Sequence, residues 1–131
     1  MYKIIIPIVP ISKKNSQQIL INKANKRPFI MPSKKFLDYQ KMCATFLPAL
    51  KIDYPVNIKC LFFMPTKRRC DLTNMLEAID DVLVKYNVLD DDNYTIVAAH
   101  DGSRILYDKE NPRTEIEITR IPVEEFESWS K

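Results

Sequence analysis

Between Cys70 and Ile96 the chain reads Cys-Asp-Leu-Thr-Asn-Met-Leu-Glu-Ala-Ile-Asp-Asp-Val-Leu, a short connection, and then Leu-Asp-Asp-Asp-Asn-Tyr-Thr-Ile. Advanced by about 100° per residue, Met75, Leu76, Ile79, Val82, Leu83 and Tyr86 share one face of a helix, while Asn74, Glu77, Asp81 and Lys85 fall on the opposite one. The spacing predicts a helix over about residues 73–86, with one face for packing and the other open to chemistry. Asp90, Asp91 and Asp92 follow as an acidic turn, and Tyr-Thr-Ile-Val-Ala-Ala after them predicts a strand over residues 94–99. Just upstream, Lys67, Arg68 and Arg69 lead into Asp71. A basic approach to an acidic centre is what a metal-dependent enzyme acting on a polyanion requires.

The rest of the chain supplies material for a sheet and one more helix. Tyr2 to Val9 is rich in Ile and Val and predicts a first strand, which Pro7 places near an edge or bulge. Two polar, turn-prone stretches follow, Ser12 to Ser16 and Asn22 to Arg27, flanking a short apolar piece at Ile19 to Ile21 that suits a hairpin strand. After Ser33, a plausible N-cap, Phe36, Tyr39, Met42, Cys43, Phe46 and Leu47 recur at helical spacing up to Pro48. Val56 to Phe63 alternates and then becomes continuously apolar, which predicts a strand whose far end is covered on both faces. The only glycine, Gly102, marks a turn or bulge before Ile105 to Tyr107 resumes an extended pattern. Thr114 to Ile121 alternates with period two as a final strand. The acidic tail containing Trp129 has no pattern that places it. The expectation is one α+β domain over residues 1–131, a mixed or antiparallel sheet carrying two main helices.

Composition narrows the surroundings of that domain. No apolar run approaches a membrane span, and the opening residues lack the long apolar region of a secretion signal, so the expected location is cytoplasmic and no membrane contact is expected. Cys43, Cys60 and Cys70 are odd in number and unpaired in spacing, which supports neither a disulfide framework nor a zinc site. The net charge of +3 hides a segregation: residues 1–36 hold eight Lys or Arg and no acid, whereas residues 71–110 hold ten acids against three bases. This fits a phosphate-attracting surface beside a carboxylate cluster, or equally two solvated patches of opposite sign. The basic loop containing Lys13 and Lys14 has the same two readings, phosphate contact or solvated loop.

Carboxylates on one helical face, joined by an aspartate run from the next turn, suit a hard divalent cation such as Mg²⁺, which takes a few carboxylate oxygens plus water and substrate phosphate. The same acids also suit an N-cap at Asp71, a solvated helix face at Glu77 and Asp81, and an ordinary polar turn at Asp90 to Asp92. His100, Ser103 and Tyr107 form no nucleophile, base and orienter set, and a single glycine excludes a glycine-rich phosphate loop.

The order Lys-Arg-Arg-Cys-Asp-Leu-Thr-Asn-Met-Leu-Glu-Ala-Ile-Asp-Asp-Val-Leu, then Val-Leu-Asp-Asp-Asp-Asn-Tyr-Thr-Ile-Val, resembles the RusA family of Holliday-junction resolvases. That family shows Pro-Asp-x-Asp-Asn-Leu-x-Lys, a later Asp-Ala-Leu on the same helix, and an Asp-Asp pair before the next strand. The resemblance covers about Lys67 to Val97, with weaker likeness in the opening strand and basic loop and in Arg113 to Ile118. It implies an α+β homodimer that depends on Mg²⁺ or Mn²⁺ and makes paired symmetric cuts in four-way DNA junctions. A twofold dimer suits a substrate of twofold symmetry.

By the same resemblance Asp71 stands at the first catalytic aspartate, Asn74 at the asparagine and Asp81 at the aspartate of Asp-Ala-Leu. The downstream aspartate falls at Asp91 or Asp92, the latter by the commoner spacing. Asp71, Asp92 and Asp91 are then the expected metal ligands, with Asn74, Glu77 and Asp81 supporting, and Lys13, Lys14, Lys67, Arg68 and Arg69 the phosphate contacts. Two positions depart from the pattern: Thr73 replaces the second aspartate, and Glu77 replaces the lysine. Glu77, one turn beyond Asn74, can restore the lost carboxylate. The other reading of both departures is a dimeric DNA-binding module of the same fold that has lost catalysis.

Overall fold

The computed structural model of the chain describes residues 1–12 and 17–131, and describes side chains outside 17–20 and 29–32. Seven strands and three helices follow one another in these residues: β1 (Tyr2–Ile6), β2 (Gln17–Ile21), β3 (Pro28–Pro32), α1 (Lys34–Ala44), β4 (Val56–Met64), α2 (Leu72–Lys85), β5 (Val97–Ala99), β6 (Arg104–Tyr107), β7 (Arg113–Arg120) and α3 (Val123–Ser128). The α+β domain predicted from the periodicities is the one observed.

β4 is the axis of a mixed five-stranded sheet. β7 runs antiparallel along one side, from Val56↔Arg120 to Phe63↔Arg113, and β1 is the edge strand beyond it, from Tyr2↔Ile118 to Ile6↔Thr114. On its other side β4 meets two short parallel partners in succession, β5 at its start and β6 at its end. The gap between them is closed by side chains. The Asn57 amide donates to the Asp101 carbonyl (3.2 Å) and accepts from the Asp101 N–H (2.7 Å), while Ser103 Oγ accepts the Cys60 N–H at 2.9 Å. Each backbone group left without a ladder partner needs such a substitute. Gly102 makes this turn with φ +87°, where a Cβ would come within 3.2 Å of the Lys59 side chain.

The registers put Ile4, Ile116 and Cys60 in one row and Ile6, Thr114 and Phe62 in another, all buried. Phe36, Tyr39 and Cys43 of α1 and Met75, Ala78, Ile79, Val82 and Leu83 of α2 complete that core. Ser33 caps α1, accepting the Phe36 N–H at 3.3 Å. The two helices are tied by Lys85 Nζ donating to Gln40 Oε1 at 3.2 Å. Each fully buried Ile or Phe contributes about 2 kcal/mol through area removed from water.

The far face of the sheet is a charge ladder, Lys3–Glu117–Lys59 and Arg113–Glu115. Burial along β4 alternates to its end, with Phe63 only half-covered. The expectation of two covered faces at that end is therefore corrected: the Arg113 guanidinium, 3.8 Å from the Phe63 ring, stands where a second apolar layer was expected.

The strand predicted at 94–99 shrinks to β5. Asn93 captures residues 94–96 in a turn, its carbonyl accepting the N–H groups of Ile96 and Val97 and its side chain accepting that of Thr95. The hairpin strand at Ile19 to Ile21 is β2, paired with β3. The three cysteines are free thiols, as their spacing implied. Among the described residues no helix is long and apolar enough to cross a membrane.

Candidate functional site

β4 delivers the chain at Met64 into a loop that carries three cations to the start of α2. Lys67 Nζ sits 5.1 Å from the centre of the Tyr107 ring, a cation–π contact that steadies a side chain otherwise exposed. Arg68 and Arg69 are exposed and contribute to a cleft of about 540 Å³ whose lining also includes Lys35, Cys70 and Asp71. Lys35, Arg68 and Arg69 thus line the same cleft as the Asp71 carboxylate. Lys35 was not singled out by the sequence reading; the signal for it was its place at the end of the acid-free run, on the first turn of α1.

Asp71 occupies the N-cap position of α2 with extended backbone, yet its side chain makes no cap bond. Its Oδ2 instead accepts from Asn74 Nδ2 at 3.2 Å, so Asp71 is the N-cap residue by position while its carboxylate lines the cleft. Next to it, burial first and the Asp71 charge second push the Cys70 thiol upward, which keeps it protonated and unsuited to nucleophilic attack.

A second group of acids lies about 14 Å further along the helix axis. Asp80, whose side chain is 14 % exposed, bonds through Oδ2 to His100 Nε2 at 2.8 Å. His100 Nδ1 donates to the Ile58 carbonyl, also at 2.8 Å. Burial pushes the Asp80 carboxyl above its usual range; the bond to His100 and its charge oppose this, and the nearby Asp92 and Asp81 charges add to it. Burial alone lowers His100, but the hydrogen bond and charge of Asp80, with the Ile58 carbonyl, outweigh it and raise its pKa. Asp80 Oδ1 is buried without a partner.

In the acidic turn the two candidate aspartates separate in role. Asp91 Oδ1 accepts the Asp92 N–H and its Oδ2 accepts from Asn93, both at 2.8 Å, and these bonds hold its carboxyl below the usual range. Asp91 is thereby committed to shaping the loop. Asp92 is exposed, its side chain lies against that of Asp91, and it is close enough to Asp80 to act on its charge.

Of the residues expected from sequence, Asp71 and Asn74 are joined to each other, Arg68 and Arg69 share the cleft with Asp71, and Asp91 and Asp92 share the turn. Glu77 and Thr73 are exposed on α2 and Asp81 is half-buried. No direct hydrogen bond links Asp71 to Asp91 or Asp92 among the described residues. Lys13 and Lys14 lie outside them. Asp80 and His100 were missed as a pair. The available signal was Asp80 at the border of the apolar stripe, beside Ile79, where a charge needs a partner, and a chain with one histidine.

The donors here are carboxylate oxygens, the chemistry a hard divalent cation takes, and Mg²⁺ is held through one or two carboxylates with water filling its shell. Among the described residues no three His, Cys, Asp or Glu side chains converge. Compared with known proteins, the chain matches no family model and no curated protein.

Proposed function

We propose that this protein is a metal-dependent, structure-specific endodeoxyribonuclease that resolves four-way junctions or related branched DNA by paired symmetric cuts, in the manner the RusA resemblance implies. The observation that carries the reading is the cleft at the head of α2, where Lys35, Arg68 and Arg69 flank the Asp71 carboxylate. Cations placed beside a carboxylate bring a phosphodiester to an acid that would otherwise repel it.

The arginines and Lys35 bind backbone phosphates, with Lys67 beside them, and Lys13 and Lys14 are the further phosphate contacts the resemblance implies. Asp71 would hold the cation, Mg²⁺ or Mn²⁺, at the cleft, and Asp92 would offer it a second carboxylate from the acidic turn. Asn74 fixes one oxygen of Asp71, Asp91 fixes the loop that presents Asp92, and Glu77 and Asp81 add negative charge along α2. The chemistry a bound Mg²⁺ supplies is polarisation of the phosphodiester and activation of water. A homodimer would present two such clefts to a twofold substrate.

The test is cleavage of a labelled synthetic four-way junction against linear duplex in Mg²⁺ and in Mn²⁺, with Asp71→Asn and Asp92→Asn alongside the parent. Symmetric nicks that disappear in both variants, a loss of about 100-fold or more, are expected. Nicks that survive Asp71→Asn would sink the assignment. Thr73, a hydroxyl where a second aspartate is usual, favours the alternative of a DNA-binding module without catalysis. That alternative predicts binding to the junction and no cut in either metal.

A further inference from the structure

The nuclease reading leaves unused an exposed aromatic surface beside the acidic turn. Tyr94 stacks on Phe126 with ring centres 6.4 Å apart, and Phe126 meets Trp129 edge to face at 5.9 Å. α3, which carries Phe126, has no buried residue, and a helix of six residues has no stability of its own. Stacking on Tyr94 is the visible attachment of this helix to the domain. The result leaves Tyr94 73 % and Trp129 51 % exposed, a large outlay of aromatic surface for a single short helix.

Carboxylates neighbour these rings in sequence. Glu124, Glu125 and Glu127 are exposed on α3, and Asp90, Asp91 and Asp92 lie just before Tyr94. Among the described residues none of the three glutamates is ion-paired. Aromatic faces alone would also suit unstacked bases, but a nucleic acid here would set its phosphates against the three glutamates of α3. A purely aliphatic partner would leave the acids desolvated and unpaired. The group that satisfies both parts of the surface is the guanidinium, which stacks on an aromatic face while its edge bonds carboxylates in pairs.

We propose that the Tyr94–Phe126–Trp129 surface is a docking site for an arginine-rich segment of a partner protein. Trp and Tyr supply the anchoring area, as they do at the energetic centres of interfaces, and the glutamates supply charge complementarity. The proposal rests on the three rings and the glutamates of α3, none of which the nuclease reading uses.

Trp129 is the only tryptophan, so its emission reports this site alone. The full chain is titrated with a peptide of alternating Arg and Gly, a matched Lys-Gly peptide and a single-stranded oligothymidine. Saturable quenching by the arginine peptide is expected, with affinity about tenfold above that for the lysine peptide. The Tyr94→Ala/Phe126→Ala variant keeps every carboxylate, and should bind about tenfold more weakly. Glu124→Gln/Glu125→Gln/Glu127→Gln should lose as much.

Affinity unchanged in the aromatic variant would show charge attraction only and overturn the proposal. Tighter saturable quenching by the oligonucleotide would replace it with a base-stacking platform. An emission shift that follows protein concentration without peptide would replace it with a second copy of the chain.

Discussion

A carboxylate that is 14 % exposed keeps its charge only with a partner, and for Asp80 the partner is the single histidine of the chain. The Ile58 carbonyl can only accept, so Nδ1 of His100 carries a proton and Nε2 faces Asp80. The folded pKa of His100 lies above its ordinary 6.5, so its contribution to stability is complete below that value and is lost as pH rises through the folded value. Asp80 is raised above its ordinary 3.8, chiefly by burial, so it too favours the folded state more at lower pH. Both effects have one sign: the thermal midpoint should fall as pH rises from the ordinary value of Asp80 through the folded value of His100, and fall less in His100→Asn. At neutral pH His100→Ala should cost about 2–3 kcal/mol by stranding Asp80. Asp80→Asn should cost less, because its amide can donate to a neutral Nε2. Thermal denaturation of the three variants across this range decides it; a His100→Ala midpoint equal to the parent's would show the pair holds nothing. Sequence placed Asp71, Asn74 and the acidic turn because their meaning lies in local order. It passed over Asp80 because a bond across twenty positions depends on where β4 carries Ile58, which no local pattern encodes.

At the level of elements, α2 shows how a helix ends on its own chemistry. Tyr86 is its C-cap and Asn87 follows in the left-handed region at φ 64°. The Val88 N–H bonds the Leu83 carbonyl (2.9 Å) and the Asn87 N–H bonds that of Val84 (3.2 Å), the paired closure of a Schellman motif. Asn87→Val should lower unfolding free energy by about 1–2 kcal/mol, whereas Asn87→Gly should be neutral or slightly stabilising. Equal midpoints for Val and Gly in urea unfolding would refute the role given to this backbone conformation. The helix itself was legible, since Met75, Ile79, Val82 and Leu83 mark their face clearly. The strand after it was overestimated because β propensity in Tyr94, Thr95 and Ile96 lost to the hydrogen bonds of Asn93. α3 was not legible, being too short for periodicity and held by rings far apart in sequence.

For the whole molecule, the segregation of charge seen in the sequence has a spatial counterpart. Cations line the cleft at the head of α2, and acids occupy the turn at 90–92 and the helix α3. If the cleft binds DNA phosphates, junction affinity measured against salt should fall steeply, and Arg68→Ala/Arg69→Ala should flatten the slope of log K against log salt by about 2. A slope unaltered by the double substitution would place the phosphates elsewhere. The content of the sheet could be read from alternation, but its order could not, because nothing local tells β4 that its neighbours are β7 on one side and two separate short strands on the other.

That order also governs when the molecule can exist during its own synthesis. β7 lies between β1 and β4, so among the described strands β1 has no sheet neighbour until residues 113–120 have been made. Until then Met1 to Ile6 is an apolar ribbon with both edges open, beside a core lacking Ile116 and Ile118. A ribosome that stalls between β4 and β7 therefore releases a chain with helices and half a sheet, a substrate for chaperones and proteases. This sheet closes only when β7 slides in between β1 and β4.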